Sequence, residues 1–200
     1  MNEIKIGSPI VLHDNCPVQW DIMKPLADNL IDTTKINSEL EKGSAISTVA
    51  NHASLNPYQW KEMDYFKQWL SPRLDEVVQK FQLTVDSSLI VTGCWINRHL
   101  QSGKTAMHTH RNVEIVVVWY LEVPEDSGNL IIRDPLEYHW GSFLSRQRDH
   151  DELAGGQIIP VKTGDVLIFP GWVNHCTEEN LTDKPRYVMS INFCIERILK

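Results

Sequence analysis

Three histidines and one arginine are the residues of this sequence whose types and spacing could do chemistry. His108 and His110 stand two residues apart, and His175 follows the segment Phe-Pro-Gly-Trp-Val-Asn. Imidazole is the most common neutral metal ligand among side chains, and residues two apart on an extended chain point to the same side. A third histidine from a distant strand would complete a facial set of three on one ion. We therefore predict a metal site formed by these three side chains.

Arg186 opens a strand-like segment, Arg-Tyr-Val-Met-Ser-Ile-Asn-Phe, shortly after His175. Ser190 lies four residues further on, and the two-residue period of a strand places both side chains on one face. A guanidinium binds a carboxylate through two parallel hydrogen bonds, and a hydroxyl can donate another. The pattern indicates a receptor for an anionic co-substrate beside the metal. The alternative is a surface ion pair between Arg186 and an acid such as Glu178 or Glu179.

The composition is that of one ordinary globular domain. The 200 residues are 42% hydrophobic and 22% charged, which is enough to bury a sizeable core. The formal net charge of −7 argues against a dedicated nucleic-acid binder, because such a protein needs a basic surface. Four cysteines without a Cys-x-x-Cys spacing are typical of reduced thiols. Since no signal peptide or membrane-spanning segment is evident either, we expect a cytoplasmic protein.

The hydrophobic periodicity divides the chain near residue 85. Apolar residues recur at helical spacing before that point, whereas short β-branched and aromatic segments separated by Gly, Pro and Asp turns follow it. This order predicts a mainly β fold with flanking helices. We expect a single domain in which residues 85–200 form a double-stranded β-helix (jelly roll) core. The mostly helical residues 1–84 would pack outside one sheet as support.

Individual elements of this fold can be placed by pattern. The spacing predicts helices over 18–34 and 57–82, with the second interrupted at Pro72. Residues 4–13 are typical of a short edge strand, because their proline cannot donate to a sheet ladder. The stretch over 134–156 is too long and polar for an ordinary connection, so we interpret it as a candidate lid or substrate loop.

The ordered set of short motifs resembles the iron(II)/2-oxoglutarate-dependent dioxygenases, especially the small oxygenases related to prolyl hydroxylases. The pattern of that family runs Trp-x-Asn, Gly, His-x-Asp or His-x-His, a Tyr-Leu strand, Phe-Pro before the last histidine, and Arg-x-x-x-Ser or Thr. Over about residues 93–195 this chain meets it with Trp95 to Asn97, Gly103, His108 to His110, Tyr120 with Leu121, Phe169 to His175, and Arg186 with Ser190. Each motif is short, and their order makes the resemblance specific.

The resemblance implies a fold, an activity and a set of contacts. It implies an Fe(II)- and 2-oxoglutarate-dependent oxygenase that hydroxylates a C–H bond of a small-molecule or peptidyl substrate. That reaction consumes O2 and is coupled to the oxidative decarboxylation of 2-oxoglutarate to succinate and CO2. His108 and His175 would be iron ligands. The implied cofactor-binding residues are Arg186, Ser190, Tyr120 and Asn97. Many jelly rolls dimerise through sheet edges or outer helices, so a homodimer is compatible with this interpretation.

Position 110 departs from the usual facial triad of two histidines and one carboxylate. His110 stands where the larger superfamily has Asp or Glu, and three neutral imidazoles leave Fe(II) with its full double charge. Glu114 is the nearest acid and has the same strand parity as His108 and His110. It could ligate in place of His110 or orient a ligand through a hydrogen bond. We predict three histidine ligands, with Glu114 as the alternative third ligand.

Two other interpretations use the same residues. The first is a cupin-type metalloenzyme, another dioxygenase or an isomerase, that does not use 2-oxoglutarate; its ligands would be His108, His110, Glu114 and His175. The first cupin motif lacks its closing glycine here, Gly171 comes one place early for the second motif, and a cupin needs no carboxylate clamp at Arg186 and Ser190. The second is a non-catalytic binding domain in which the histidines are incidental.

Overall fold

Two larger antiparallel sheets, one two-stranded ladder and two α-helices make up the described part of the structure. It is a computed structural model that describes residues 1–5, 10–34, 40–49, 56–83, 88–133 and 156–196. The helices are α1 (Trp20–Thr34) and α2 (Asp64–Lys80), and two 3-10 turns, Pro57–Gln59 and Lys61–Met63, precede α2. The strands are β1 (Asn2–Lys5), β2 (Ile10–Asn15), β3 (Glu41–Lys42), β4 (Ala45–Ser47), β5 (Leu89–His99), β6 (Lys104–Thr105), β7 (Ile115–Glu122), β8 (Leu130–Arg133), β9 (Gly156–Ile159), β10 (Asp165–Pro170), β11 (His175–Thr177) and β12 (Arg186–Ile195).

The larger sheet has seven strands in the order β1-β2-β10-β7-β12-β5-β4. The smaller sheet has the order β11-β8-β9, and β3 pairs with β6 alone. One buried apolar cluster lies between the larger sheet and the helices, and a second lies between the two sheets. The prediction of a mainly β jelly-roll fold with helices outside one sheet is therefore confirmed. No helix of the described part of the chain is long and apolar enough to cross a membrane.

Strand β7 shows why the sequence forms three layers, which are the helices, the larger sheet and the smaller sheet. It is buried on both faces, so its residues alternate between two apolar clusters rather than between core and water. Val116, Val118 and Tyr120 contact the cluster between the sheets. Trp119, from the opposite face, stacks on Phe66 of α2 with ring centroids 4.1 Å apart. The same alternation in β5 and β12 turns one row of each strand into the space between the sheets.

Helix α2 runs through Pro72 without a break, so the predicted interruption there was wrong. A proline inside a helix costs about 3 kcal/mol, because it removes one backbone hydrogen bond and crowds the preceding turn. Phe66 and Leu70 before the proline and Val77 after it are all fully buried. This apolar stripe against the larger sheet outweighs the cost of the proline, because most helix stability in proteins comes from such packing.

The first part of the chain contributes strands as well as helices. The single edge strand expected over residues 4–13 was wrong: β1 and β2 form an antiparallel pair, and β2 lies between β1 and β10. Strand β4 adds to the other end of the same sheet by pairing with β5. Strands β1, β2 and β4 are thus part of the larger sheet. The candidate lid over 134–156 lies outside the described residues, apart from Gly156 at the start of β9.

Candidate metal centre

A pair of backbone hydrogen bonds joins the two histidine motifs. The amide of His108 donates to the carbonyl oxygen of His175 over 2.9 Å, and the amide of His175 donates to the carbonyl oxygen of His108 over 3.0 Å. The amide of His110 donates to Gly171 over 2.8 Å. A side chain at Gly171 would stand 2.1 Å from the Val113 carbonyl, so only glycine permits this close approach. The backbone therefore fixes all three histidines at one end of the space between the sheets.

The three imidazole rings share one orientation. Nδ1 of His108 donates to the Ala106 carbonyl over 2.8 Å, and Nδ1 of His175 donates to the Val173 carbonyl over 2.9 Å. Nδ1 of His110 donates to Oδ1 of Asn192 over 2.7 Å. Because each partner is an oxygen that can only accept, the proton of every ring is on Nδ1 and the lone pair is on Nε2.

The lone pairs converge on one point. One potential ligand atom from each histidine lies within 4.8 Å of the others, and Nε2 of His108 is 3.2 Å from Nε2 of His110. Two nitrogens at right angles on one ion, each about 2.1 Å from it, would lie about 3 Å apart. Two lone pairs facing each other across this distance repel unless a cation lies between them. The donor set thus fits a divalent transition metal ion.

Burial keeps these rings neutral. It lowers the pKa of His108, lowers that of His110 to about 4, and lowers that of His175 well below the usual value. His175 retains 4% exposure and His110 9%. A metal ligand must be deprotonated, and these imidazoles meet that condition at neutral pH without help from the metal.

The affinity of the site for a metal ion should resist acid. Protons compete with metal for Nε2 only below the pKa of the ring, and that of His110 is about 4. We expect the Kd for Zn(II) to stay constant from about pH 7.5 to about pH 5.5 and to rise towards pH 4. Exposed imidazoles would instead lose affinity from about pH 6.5 downwards. Titration at several pH values, with circular dichroism to verify folding at each, measures this; a tenfold loss between pH 7 and pH 6 would contradict it.

Asn192 is a residue of this site that the sequence pattern did not reveal. It lies on β12 two residues beyond Ser190, so the period of a strand places it on the face of Arg186 and Ser190. Its amide oxygen is the acceptor that holds the tautomer of His110. Such outer partners of a metal ligand typically contribute about 10- to 100-fold to affinity.

Substitution of Asn192 tests whether its hydrogen bond to the His110 ring contributes to metal affinity. We expect Asn192→Ala to raise the Kd for a divalent metal at least about tenfold, because the His110 ring loses its acceptor. Asn192→Asp retains an acceptor at the same position and should bind metal as tightly as the wild-type protein, or more tightly. Calorimetric titration of both variants tests this. Equal loss in the two variants would mean that Asn192 acts through packing instead.

Glu114 lies away from the histidines. Its carboxylate accepts a hydrogen bond from the backbone amide of Ile195 over 3.0 Å. Strand parity does not apply to Glu114, because Arg111 and Asn112 form a turn, with φ of 58° at Asn112, and Glu114 precedes the start of β7, so His110 and Glu114 are not on one continuous strand. Among the described residues, the cluster of potential ligands consists of the three histidines.

A cavity of about 210 Å³ opens beside the histidines in the space between the sheets. Tyr120, Ser190 and Asn97, three of the four residues predicted to bind the cofactor, line it. The Tyr120 hydroxyl and the side-chain amide oxygen Oδ1 of Asn97 are buried and have no hydrogen-bond partner within the described residues. Burial raises the pKa of Tyr120, so its hydroxyl remains protonated. Unpaired polar atoms of this kind are costly unless a ligand satisfies them.

Arg186, the fourth predicted residue, does not line this cavity. Nη1 donates to the carbonyls of Ser127 and Gly128, and Nη2 donates to that of Glu178. Nε and Nη2 both donate to Nδ1 of His99, over 3.2 and 3.1 Å. A guanidinium has five N–H donors, and all five are placed on protein atoms here. This differs from the expected two-bond clamp: His99, which the sequence analysis did not consider, accepts those bonds and itself lines the cavity.

Solved structures of known proteins share this fold. A prolyl-4-hydroxylase from Pseudomonas putida matches with a TM-score of 0.57 at 14% identity, covering 92% of this chain and 91% of its own. HygX from Streptomyces hygroscopicus, with nickel and 2-oxoglutarate bound, gives 0.57 at 12% identity and covers 92% and 82%. The α-ketoglutarate-dependent epimerase SnoN from nogalamycin biosynthesis gives 0.58 at 14% identity and covers 92% and 76%. At such identities the likeness concerns the fold.

The sequence itself carries the relationship further. No curated protein sequence matches this chain. Residues 93–192, half of the chain, match the family described as "Putative 2OG-Fe(II) oxygenase". This segment contains the three histidines, the unpaired polar atoms of the cavity, Arg186 and Asn192. The cofactors in the family's name, Fe(II) and 2-oxoglutarate, are those that the sequence motifs predicted, and the chain belongs to the 2OG-Fe(II) oxygenase family.

Proposed function

We propose that this protein is an Fe(II)- and 2-oxoglutarate-dependent hydroxylase whose metal is held by His108, His110 and His175. The observation that carries the proposal is the convergence of three neutral imidazoles beside a cavity with unpaired polar atoms. The same arrangement argues against the cupin interpretation, because Glu114 is engaged with the backbone of Ile195. It also argues against incidental histidines, since all three tautomers are fixed by hydrogen bonds.

The cavity suits the far carboxylate of a diacid. The Tyr120 hydroxyl has a proton and no partner among the described residues, and Ser190 offers a second hydroxyl in the same cavity. Arg186 lies close enough to attract the negative form of Tyr120, so its positive charge also acts on an anion beside that hydroxyl. Asn97 would close the wall near the metal. Arg186 thus contributes through its charge, with His99 between it and the cavity.

When bound, Fe(II) and 2-oxoglutarate would supply the chemistry by which O2 is reduced: one oxygen atom would hydroxylate a C–H bond, and the other would enter the succinate formed, with CO2, from 2-oxoglutarate. The chain holds the reactants and keeps water out, with Trp95 and Val118 as apolar walls of the cavity. The fold is shared by hydroxylase and epimerase alike, so the proposal of hydroxylation depends on the resemblance of the motifs to prolyl hydroxylases, with a small molecule or a peptide as substrate. Four free cysteines suit a reducing compartment, and we expect the enzyme to act in the cytoplasm.

Two measurements test the function. Addition of 2-oxoglutarate to the anaerobic Fe(II) protein should produce a weak visible charge-transfer band, which the metal or the diacid alone does not give. Admission of O2 should then convert 2-oxoglutarate to succinate, detected by NMR, slowly without substrate and faster with it. An Fe(II)-loaded protein that gives neither band nor succinate would overturn the proposal. Succinate without a hydroxylated product for any accepted substrate would restrict the protein to another oxidation of the family.

A further inference from the structure

A buried relay connects Arg186 to the carboxylate of Glu41. Because the guanidinium can only donate, Nδ1 of His99 accepts from it, and the ring proton must be on Nε2. That nitrogen lies 3.2 Å from Oε2 of Glu41 and 2.9 Å from the hydroxyl of Thr105. The Thr105 hydroxyl lies 3.1 and 3.2 Å from the two oxygens of Glu41. The Glu41 carboxylate therefore holds the donors at this end of the cavity.

Glu41 and Arg111 are the charged lysine, arginine, aspartate or glutamate side chains that line this cavity within the described residues. The side chain of Glu41 is 3% exposed, and that of His99 is 1% exposed. The negative charge of Glu41 attracts the Arg186 guanidinium, so the two charges compensate each other through the neutral imidazole between them. An anion beside the Tyr120 hydroxyl therefore meets an Arg186 charge that Glu41 already compensates.

We propose that Glu41 is a specificity-determining residue that competes with the far carboxylate of the co-substrate for the field of Arg186 and for the donors of His99 and Thr105. The inference rests on the proposed function for the identity of that co-substrate as 2-oxoglutarate. Two carboxylates beside one guanidinium repel each other, so a diacid binds with the penalty of displacing or neutralising Glu41. Glu41 thereby sets how tightly, and how selectively, the cavity accepts a dianion.

The position of Glu41 in the chain suits this role. It lies on β3, a two-residue strand that pairs only with β6 and belongs to neither large layer of the fold. The turn after β3 requires glycine at position 43, because φ there is 65° and a Cβ would lie 2.0 Å from the Ser102 carbonyl oxygen. The carboxylate is thus carried by a short segment beside the jelly roll, and its withdrawal breaks no strand pair of the larger sheets.

Glu41→Gln removes the charge and retains an acceptor for Thr105 and His99, so it tests the proposal directly. The first probe is glutarate, a diacid that lacks the keto acid needed to chelate a metal, titrated calorimetrically into metal-free protein. We expect its Kd to fall about tenfold in Glu41→Gln. Glu179→Gln is the matched control: it removes one carboxylate charge 4.0 Å from Lys104, outside the cavity, and should change the Kd by less than about twofold. A residue that is merely structural would leave glutarate affinity unchanged or lower it, and either result overturns the proposal.

A second variant, Glu41→Ala, distinguishes loss of the charge from a change in folding. A second probe, 2-oxoglutarate, distinguishes the role of Glu41 from the oxygenase function. In Glu41→Ala, added acetate should refill the carboxylate position and cancel the gain in glutarate affinity; persistence of the gain in acetate would overturn the inference. The 2-oxoglutarate titration of the anaerobic Fe(II) protein is then carried out on the wild type and Glu41→Gln. If Glu41→Gln binds glutarate more tightly but the Fe(II) protein gives no charge-transfer band with 2-oxoglutarate, the oxygenase function is wrong and the role of Glu41 stands. If the charge-transfer band forms normally and Glu41→Gln leaves the Kd for glutarate unchanged, the role of Glu41 is wrong and the oxygenase function stands.

Discussion

His175→Ala is expected to weaken Fe(II) binding at least about 100-fold and to abolish the charge-transfer band with 2-oxoglutarate. Loss of an outer hydrogen-bond partner alone costs about 10- to 100-fold, so loss of a ligand should cost more. His175 is the most buried of the three rings, and its lone pair faces the other two. Anaerobic Fe(II) titration followed by calorimetry measures the effect. His108→Ala should behave in the same way.

The control for this loss is another histidine. His13, on strand β2, lies outside the cavity, and its Nε2 is 3.3 Å from the Asp165 carboxylate. His13→Ala should therefore bind Fe(II) like the wild type. Circular dichroism of both variants separates loss of the site from loss of the fold. Wild-type Fe(II) affinity in a folded His175→Ala protein would place the metal elsewhere and would leave the three histidines without the assigned role.

Arg186→Ala is expected to be primarily a stability variant, with a loss on the order of 4 kcal/mol in the free energy of unfolding. The side chain is fully buried, and its removal leaves three backbone carbonyls and the His99 ring without their donor. Each buried acceptor left unpaired costs about 1–3 kcal/mol. Arg186→Lys should recover little, because one ammonium with three donors cannot reproduce a planar fork with five.

Urea unfolding of the metal-free variants measures this directly. The result discriminates between two roles of Arg186. A protein with wild-type stability that has lost only its affinity for 2-oxoglutarate would show that the guanidinium clamps the diacid, as the sequence motif predicts. A strongly destabilised protein would show that it ties the turn before β8 and the loop before β12 to His99, as the hydrogen bonds indicate.

Strand parity explains which site residues the sequence could reveal. The three histidines could be grouped from the sequence because His108 and His110 share strand parity and His175 follows the Phe-Pro motif at the end of a strand. Asn192 and His99 were within reach of the same reasoning, because they continue the alternating rows of Ser190 on β12 and of Asn97 on β5. The parity drawn between His110 and Glu114 extended the period of a strand across the turn at Asn112, which local pattern did not reveal.

Other features could not be read from local pattern. Glu41 reaches the cavity through a pairing of two residues with β6, more than sixty positions along the chain, and no periodicity marks such a short ladder. The fold class was accessible because helical and extended periods are separated along the chain. The pairing of β1 and β2 into the larger sheet was not, since a single apolar segment does not specify its neighbour.

The three imidazoles link parts of the molecule that are far apart in the chain. His175 belongs to the smaller sheet, while His110 is hydrogen-bonded to Asn192 of the larger one. An ion shared by them would cross-link the two layers at the open end of the jelly roll. Anything that binds only the folded state raises its stability by mass action. The heat resistance of this protein and its resistance to proteolysis would therefore rise with the free concentration of iron.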